Sequence, residues 1–289
     1  MDIIEIFELY PSQADCIAHL ENVRWHGNPR CVYCQSTNVT PAPKEKRHHC
    51  NNCNTTFSVT VGTIFHHTHL PMQKWFLAVT LVLNAKKGLS SRQLARDLKV
   101  NKDTAWRMGM RIREAMSEHK QRIILTGIVE VDETYIGGKP RKGDPNKSKR
   151  GRGTKKTPVV GMVERQGRIT AKVVKKTELT SKKLSALVRK NVDITNATLI
   201  TDEYKGYIGI QKFMAHKTVN HTVWYVNGDA HTNTIESFWA LLKRGIVGQY
   251  HKVSLHHLAK YIDEFSYRWN YRQHANLFGY TIQRGLEVR

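Results

Sequence analysis

The stretch GIVEVDETYI at residues 127–136 decides the fold of the carboxyl-terminal half. Its β-branched and aromatic residues predict a strand, with Asp132 inside the apolar run. Downstream, the pattern predicts a hairpin of 159–163 with 169–174 across the Gln166-Gly167 turn. A helix over 180–190, a short strand over 197–201 and helices over about 234–244 and 254–271 follow. This order predicts a mixed sheet covered by helices.

Three acids occupy distinctive positions in this pattern. Asp132 lies inside a strand, where an unpaired carboxylate is costly and is better explained as a cation ligand. Asp202 ends the short strand, and Glu236 lies in the first turn of a helix with Lys243 on the same side. Such a set can hold two Mg²⁺ or Mn²⁺ ions for phosphoryl chemistry, with the lysine on a DNA phosphate. The alternatives are a strand end, a turn and a capping box formed by Asn233 and Glu236.

The motif Cys31-x2-Cys34 with Cys50-x2-Cys53 is the strongest local signal. Four thiolates from two tight turns can close a tetrahedron around Zn²⁺ and leave no position for water, so we expect a structural site. Disulfides or unrelated thiols are the alternatives. We interpret the nearby His48, His49, His66, His67 and His69 as exposed side chains, and the fifth cysteine, Cys16, as a buried apolar residue.

Residues 71–124 have helical apolar periodicity. A Ser-capped helix, a break at 99–101 and a helix capped by Asn101 have the layout of a helix-turn-helix. Lys102, Arg107 and Arg111 would project from the second helix toward a DNA groove. An ordinary helical hairpin with a solvated basic face is the alternative.

The charge balance favours a polyanionic partner. The chain has 46 Lys and Arg residues against 24 Asp and Glu residues, a formal net charge of +22. Phosphate contacts would neutralise this charge, although ribosomal and membrane-surface proteins can be equally basic. A basic, Gly- and Pro-containing run at 139–156 includes Lys149, Arg150 and Arg152, and we interpret it as a DNA-gripping loop beside Asp132 rather than a solvated loop.

The chain shows no secretory pattern and no apolar run of about 18 residues, so a membrane association is not expected. The five cysteines fit a reducing compartment. We therefore expect a cytoplasmic, nucleoid-associated protein.

Three motifs resemble a known family: VDETYIGGK at 131–139, TDEY at 201–204 and HTNTIESFWALLKRGI at 231–246. They are similar to the DDE transposases of insertion-sequence family 1595, the ISXO-like group, whose amino-terminal half carries a zinc ribbon before a helix-turn-helix. The resemblance covers about residues 15–272. It implies a ribonuclease-H-like core, binding to terminal inverted repeats, and cleavage and strand transfer without a covalent protein–DNA intermediate. Asp132, Asp202 and Glu236 with Lys243 match the family's acids and basic residue, and Asn233 is the alternative to Glu236.

The sequence therefore predicts an α+β multidomain protein. Its expected parts are a helical segment (1–27), a zinc ribbon (28–69), a helix-turn-helix region (70–125) and a ribonuclease-H-like catalytic domain with a carboxyl-terminal helix (126–289). We expect a Mg²⁺-dependent transposase that acts on double-stranded DNA, both element ends and target, as a homodimer or larger oligomer. The rival functions are an inactive, transposase-derived DNA-binding regulator and a host nuclease or resolvase of the same fold.

Overall fold

The computed structural model describes residues 1–117, 123–138, 153–219 and 231–287. Contacts divide the chain into two compact units, Met1–Ser117 with Gln273–Arg289, and Glu118–Arg272. Among the described residues, no helix is long and apolar enough to cross a membrane. Residues 139–152 of the basic run that was predicted to grip DNA lie outside the described residues.

The first unit begins with two helices and a small sheet. The helices are α1 (Ile3–Leu9) and α2 (Gln13–Trp25), and the strands are β1 (Val39–Ala42), β2 (Arg47–Cys50) and β3 (Thr55–Phe57). The strands pair in the order β1-β2-β3, all antiparallel. In α1, Ile6 is buried, whereas Ile3, Phe7 and Leu9 are exposed.

The helical part of the first unit contains α3 (Met72–Asn84), α4 (Ser91–Leu98) and α5 (Lys102–Met116). The predicted caps are present: Ser90 Oγ accepts the Gln93 N–H at 3.2 Å, and Asn101 Oδ1 accepts the Asp103 N–H at 2.7 Å. The apolar sides of α4 and α5 pack together, with Leu94 and Leu98 of α4 and Met108 and Ile112 of α5 buried. A helix-turn-helix arrangement of α4 and α5 is therefore present.

The carboxyl-terminal helix α9 (Leu277–Leu286) also belongs to the first unit. Its buried Phe278 ring meets Phe76 of α3 edge-on, with the ring centroids 5.5 Å apart. The Ile64 N–H donates to the Gly285 carbonyl at 3.0 Å. The apolar face of α9 is thus covered by the amino-terminal helices. The predicted domain boundaries remain predictions.

The second unit is built on a five-stranded mixed sheet. Its strands are β4 (Ile128–Ile136), β5 (Thr157–Glu164), β6 (Ile169–Val173), β7 (Thr198–Asp202) and β8 (Ala215–Val219), in the order β6-β5-β4-β7-β8. The pairs β4–β5 and β5–β6 are antiparallel, and β4–β7 and β7–β8 are parallel. The predicted mixed sheet is therefore present. Neither β8 nor α9 was predicted.

Helices cover the sheet. They are α6 (Ser181–Asn191), α7 (Asn233–Gly248) and α8 (Leu255–Asn270). On β4, Val129 and Val131 point into a core that includes Leu184 and Val188 of α6. The alternate residues Glu130 and Asp132 meet α7 on the opposite face. The period-two alternation of β4 therefore separates an apolar face from the face that carries acids.

Candidate functional site

The acids of the predicted site meet where β7 ends beside the middle of β4. Strands β4 and β7 run parallel, and Val131 pairs with Thr201, so Asp132 and Asp202 come next to each other in register. One carboxylate oxygen from each of Asp132, Glu133 and Asp202 lies within 4.8 Å of the other two. An all-oxygen set of this kind suits hard divalent cations such as Mg²⁺ and Mn²⁺. The structure thus brings together two of the predicted acids and adds Glu133.

The three carboxylates repel one another. Burial raises the pKa of Asp132 to about 7, and the negative charges of Glu133 and Asp202 add to the shift. The hydrogen bond from Trp239 opposes it. A divalent cation would relieve the repulsion and favour the ionised form of Asp132, so the donor set fits a bound metal ion.

Glu133 was missed by the sequence analysis. Successive residues of a strand point to opposite faces, so alternation does not predict that Glu133 and Asp132 share a site. The one signal in the sequence was that Glu133 directly follows Asp132. The Tyr207 hydroxyl donates to Glu133 Oε2 at 3.0 Å. Burial raises the pKa of Tyr207 well above its ordinary value, so this hydroxyl keeps its proton and donates. The Tyr204 N–H donates to Asp202 Oδ1 at 3.1 Å.

Trp239 of α7 orients Asp132. Its indole N–H donates to Asp132 Oδ2 at 3.0 Å, and its side chain is buried. The ring fits because β5 has Gly161 opposite Asp132, where an added Cβ would lie 2.6 Å from atoms of the indole. The indole N–H takes one lone pair of Oδ2, and the carboxylate keeps further lone pairs for a cation. Neither Trp239 nor Gly161 was predicted to belong to the site.

Glu236 does not join this carboxylate cluster. Its side chain is exposed, and its Oε1 accepts the Thr232 hydroxyl at 3.0 Å. The capping-box alternative is wrong, because the N-cap of α7 is Thr232 and Asn233 is the first helical residue. Asn233 and Lys243 are both exposed.

The residues predicted to contact DNA fall into three groups. Lys102 and Arg107 are exposed on α5, beside the partly exposed Trp106. Arg111 was predicted to project as they do, but its guanidinium donates to the carbonyls of Ile64 at 3.0 Å and His66 at 2.6 Å, which ties it to the preceding segment. The remaining three, Lys149, Arg150 and Arg152, lie outside the described residues.

The four predicted cysteines form a second metal-ligand cluster, with their Sγ atoms within 4.8 Å of one another. Cys31 and Cys53 are 3.6 Å apart at sulfur and Cys34 and Cys50 3.5 Å, and none is disulfide-bonded. Four thiolates at tetrahedral zinc have sulfurs about 3.8 Å apart, so the set fits Zn²⁺. Backbone N–H groups, mainly that of Cys53, lower the pKa of Cys50 to about 6 and favour the thiolate that a metal needs.

The small sheet around these cysteines has little apolar core of its own. Phe57 is buried against Cys31 and Cys50. His48, predicted to be exposed, is buried instead: its ring stacks on Phe57 and its Nε2 lies 2.9 Å from Glu21 Oε1 of α2. The alternation of β2 points it inward with Cys50. Cys16 is buried, as predicted.

Comparisons with known proteins agree with these features. Residues 124–270 match the ISXO2-like transposase domain, and residues 11–56 match the transposase zinc-ribbon domain. An uncharacterized protein in transposable element ISH50 of Halobacterium salinarum is 30% identical over 265 residues, which cover 86% of this chain and 88% of that protein. The four clustered cysteines are therefore the ligand set of a zinc ribbon.

Solved structures give weaker matches. The Mos1 strand transfer complex is 15% identical, covers 73% of this chain and 75% of its own, and has a TM-score of 0.33. The Mos1 transposase paired-end complex with left transposon end is 14% identical, has the same coverage and has a TM-score of 0.31. Scores this low do not by themselves show a shared fold.

We expect one Zn²⁺ per chain, held by the four clustered cysteines. Cys50→Ser should lose the ion, because three thiolates cannot close the tetrahedral shell, and the small sheet should unfold locally. Elemental analysis after dialysis measures the ratio. Cys16→Ala, which removes a thiol outside the cluster, should keep one ion per chain. Equal zinc content in the two variants would contradict the assignment.

The raised pKa of Asp132 predicts how stability depends on pH. Because the folded chain binds this proton more tightly than the unfolded chain, the free energy of unfolding of metal-free protein should fall as pH rises from about 4 to about 7. Thermal unfolding of the wild type and Asp132→Asn isolates this contribution, which the variant should lack. Added Mg²⁺ or Mn²⁺ should stabilise the wild type more at about pH 8 than at about pH 6, because protons compete with the cation. Identical pH profiles for the two proteins would exclude the shift.

Proposed function

The chain belongs to the family of ISXO2-like transposases, and from this premise we propose that it cuts the ends of an insertion sequence and joins them to target DNA. The observation that carries the proposal is the meeting of Asp132, inside β4, with Asp202, at the end of the parallel strand β7. These side chains lie far apart in sequence, and their proximity is costly without a cation. Phosphodiester cleavage is the chemistry that uses such a cation site beside a basic surface.

We propose that Asp132 and Asp202 hold the catalytic metal ions and that Mg²⁺ is the natural cation, with Mn²⁺ able to replace it. Bound there, the metal would stabilise negative charge on the phosphodiester oxygens and lower the pKa of the attacking water or 3′-hydroxyl. Trp239 fixes the orientation of Asp132, and Tyr207 fixes that of Glu133. The exposed Lys243 of α7 would bind a DNA phosphate.

Glu236 remains our proposal for the third catalytic acid. It lies three residues before Trp239 on α7, and residues at this spacing share a side of a helix. Trp239 contacts Asp132, so a rotation of the exposed Glu236 side chain in the presence of cation would bring its carboxylate toward the cluster. Glu133 is held in place by the hydrogen bond from Tyr207. It would add negative charge to the cation site rather than act as a ligand that binds and releases the metal.

For DNA recognition we propose the first unit, with α5 as the helix that contacts the element ends. Lys102, Trp106 and Arg107 offer two cations and an aromatic ring on one exposed surface. The zinc ribbon would assist in binding the terminal repeats. Because strand transfer joins two ends, the active form must contain at least two copies of the chain, and it would act at the chromosome.

Two rival functions make different predictions. A regulator derived from a transposase would bind DNA but would not need a clustered, mutually repelling set of acids. A host nuclease or resolvase would recognise DNA shape rather than the repeats that flank one element. Incubation with fragments that carry the flanking repeats, and with scrambled fragments, distinguishes all three functions by the positions of any nicks.

Substitution of the acids tests the active site. Asp132→Asn, Asp202→Asn and Glu236→Gln keep the side-chain shape, and each should slow cleavage of end DNA at least about a thousandfold. DNA binding should stay equal or improve, because each change removes negative charge near phosphate. Asn233→Ala and Glu133→Gln should stay within about tenfold of the wild type, and gel assays with Mg²⁺ measure both properties. If Glu133→Gln is inactive while Glu236→Gln cleaves normally, Glu133 is the third acid.

Lys102→Ala and Arg107→Ala test the DNA-contacting helix. Each should weaken binding to end DNA and make the slope of log affinity against log salt shallower by about one unit per lost phosphate contact. Titrations at several salt concentrations measure the slope. Lys183→Ala removes the same charge from an exposed position of α6 and serves as the control. Slopes that match this control would refute the role of α5.

A further inference from the structure

Glu130 is a fully buried carboxylate on β4, on the same face as Asp132 and two residues before it. Burying an ionised carboxylate is costly unless charges and hydrogen bonds compensate it. The cation site described above does not include Glu130. Its burial therefore needs another physical reason.

Four donors surround this carboxylate. Arg165 Nε donates to Oε1 at 2.7 Å, and the backbone N–H groups of Thr234 and Ile235 donate to Oε2 at 2.8 Å and 3.0 Å. The Thr234 hydroxyl donates to Oε1 at 3.0 Å. Arg165 also donates to the His231 carbonyl at 2.9 Å, and His231 Nδ1 lies 3.4 Å from Oε1. Glu130 thus joins β4, the residue after β5 and the start of α7.

Helix α7 depends on Glu130 for its first turn. Normally the side chain of the N-cap residue accepts the N–H groups of the second and third helical residues. Here the N-cap Thr232 makes no such bond, and its hydroxyl donates to Glu236 instead. Glu130 takes both N–H groups from the neighbouring strand, and its charge faces the positive end of the helix dipole.

We propose that Glu130, held by Arg165, is a positioning residue that fixes the first turn of α7, and with it Glu236, over the acids of β4. The Trp239–Asp132 hydrogen bond is a second attachment about one helical turn later. Two attachments to the same strand fix both the rotation and the axial position of the helix. The proposal rests on the proposed function to the extent that Glu236 takes part in cleavage.

Stability alone does not account for this arrangement. A buried acid–arginine pair usually contributes no more to stability than apolar residues of the same volume. Such a pair does fix geometry, because its hydrogen bonds are directional and are lost if the helix rotates or slides. Groups that hold catalytic ligands in place typically change metal affinity or activity by 10–100-fold when removed.

Glu130→Gln tests the proposal with two readouts. We expect cleavage of end DNA to slow by about 10–100-fold, with a higher Mn²⁺ concentration needed for half-maximal rate and end binding unchanged within about twofold. Independently of activity, hydrogen exchange of the Thr234 and Ile235 amides should speed up by at least about tenfold, while amides of the central sheet strands keep their protection. Glu178→Gln is the matched control, since Glu178 also accepts a backbone N–H, from Lys175, but in an exposed turn.

Thr234→Val gives a milder change, because it removes only the hydroxyl bond to Glu130, and it decides the matter if Glu130→Gln fails to fold. Thr234→Val should also slow cleavage of end DNA and speed up exchange of the Thr234 and Ile235 amides, each by a smaller factor than Glu130→Gln. Unchanged exchange of the first-turn amides in a folded variant would overturn the proposal, as would a rate loss equal to that of Glu178→Gln. If the wild type cleaves no end DNA, the proposed function fails, and the exchange measurement still tests whether Glu130 holds α7.

Discussion

The parallel pairing of β4 with β7 is the constraint on which the candidate active site depends. It places Asp132 beside Asp202 without any long-range charge attraction, because backbone hydrogen bonds and the apolar face of the sheet fix the register. The result is a local concentration of negative charge in a chain whose net charge is +22. A shift of one residue would turn the acids to the opposite face, so the chemistry depends on the packing of residues that carry no chemistry themselves.

Helix α7 packs on the face of the sheet that carries Asp132. Gly161 makes room for the Trp239 ring, and that ring donates its N–H to Asp132. Glu130 meanwhile takes the amide groups at the start of the helix. A glycine, an indole and a buried acid therefore determine where the helix lies. None of them is chemically reactive in the proposed mechanism, but each limits how the catalytic carboxylate groups can move.

The zinc ribbon is subject to a different physical constraint, the small size of its apolar core. A sheet of three very short strands buries too little apolar surface to fold by itself, so metal–thiolate bonds must replace part of the core. The buried His48 links this sheet to α2 through Glu21. Contacts with the amino-terminal helices therefore stabilise the ribbon in addition to its metal. In the described part of the chain, the cysteine cluster thus lies where hydrophobic packing is insufficient, and the acid cluster lies where like charges repel one another.

The sequence by itself determined four of the five strands of the sheet, the three helices that cover it, the four cysteines and two of the clustered acids, since these depend on local periodicity and short spacing. It also identified the caps Ser90 and Asn101, which act within one helical turn. Only the tertiary structure decided that α9 packs with the amino-terminal helices, that Arg111 is tied to backbone carbonyls and that Glu133 joins the cluster. Contacts between distant segments have no spacing rule in the sequence. Strand alternation puts Glu130 on the same face as Asp132, but only the tertiary structure shows that its carboxylate caps a helix 104 residues further along the chain.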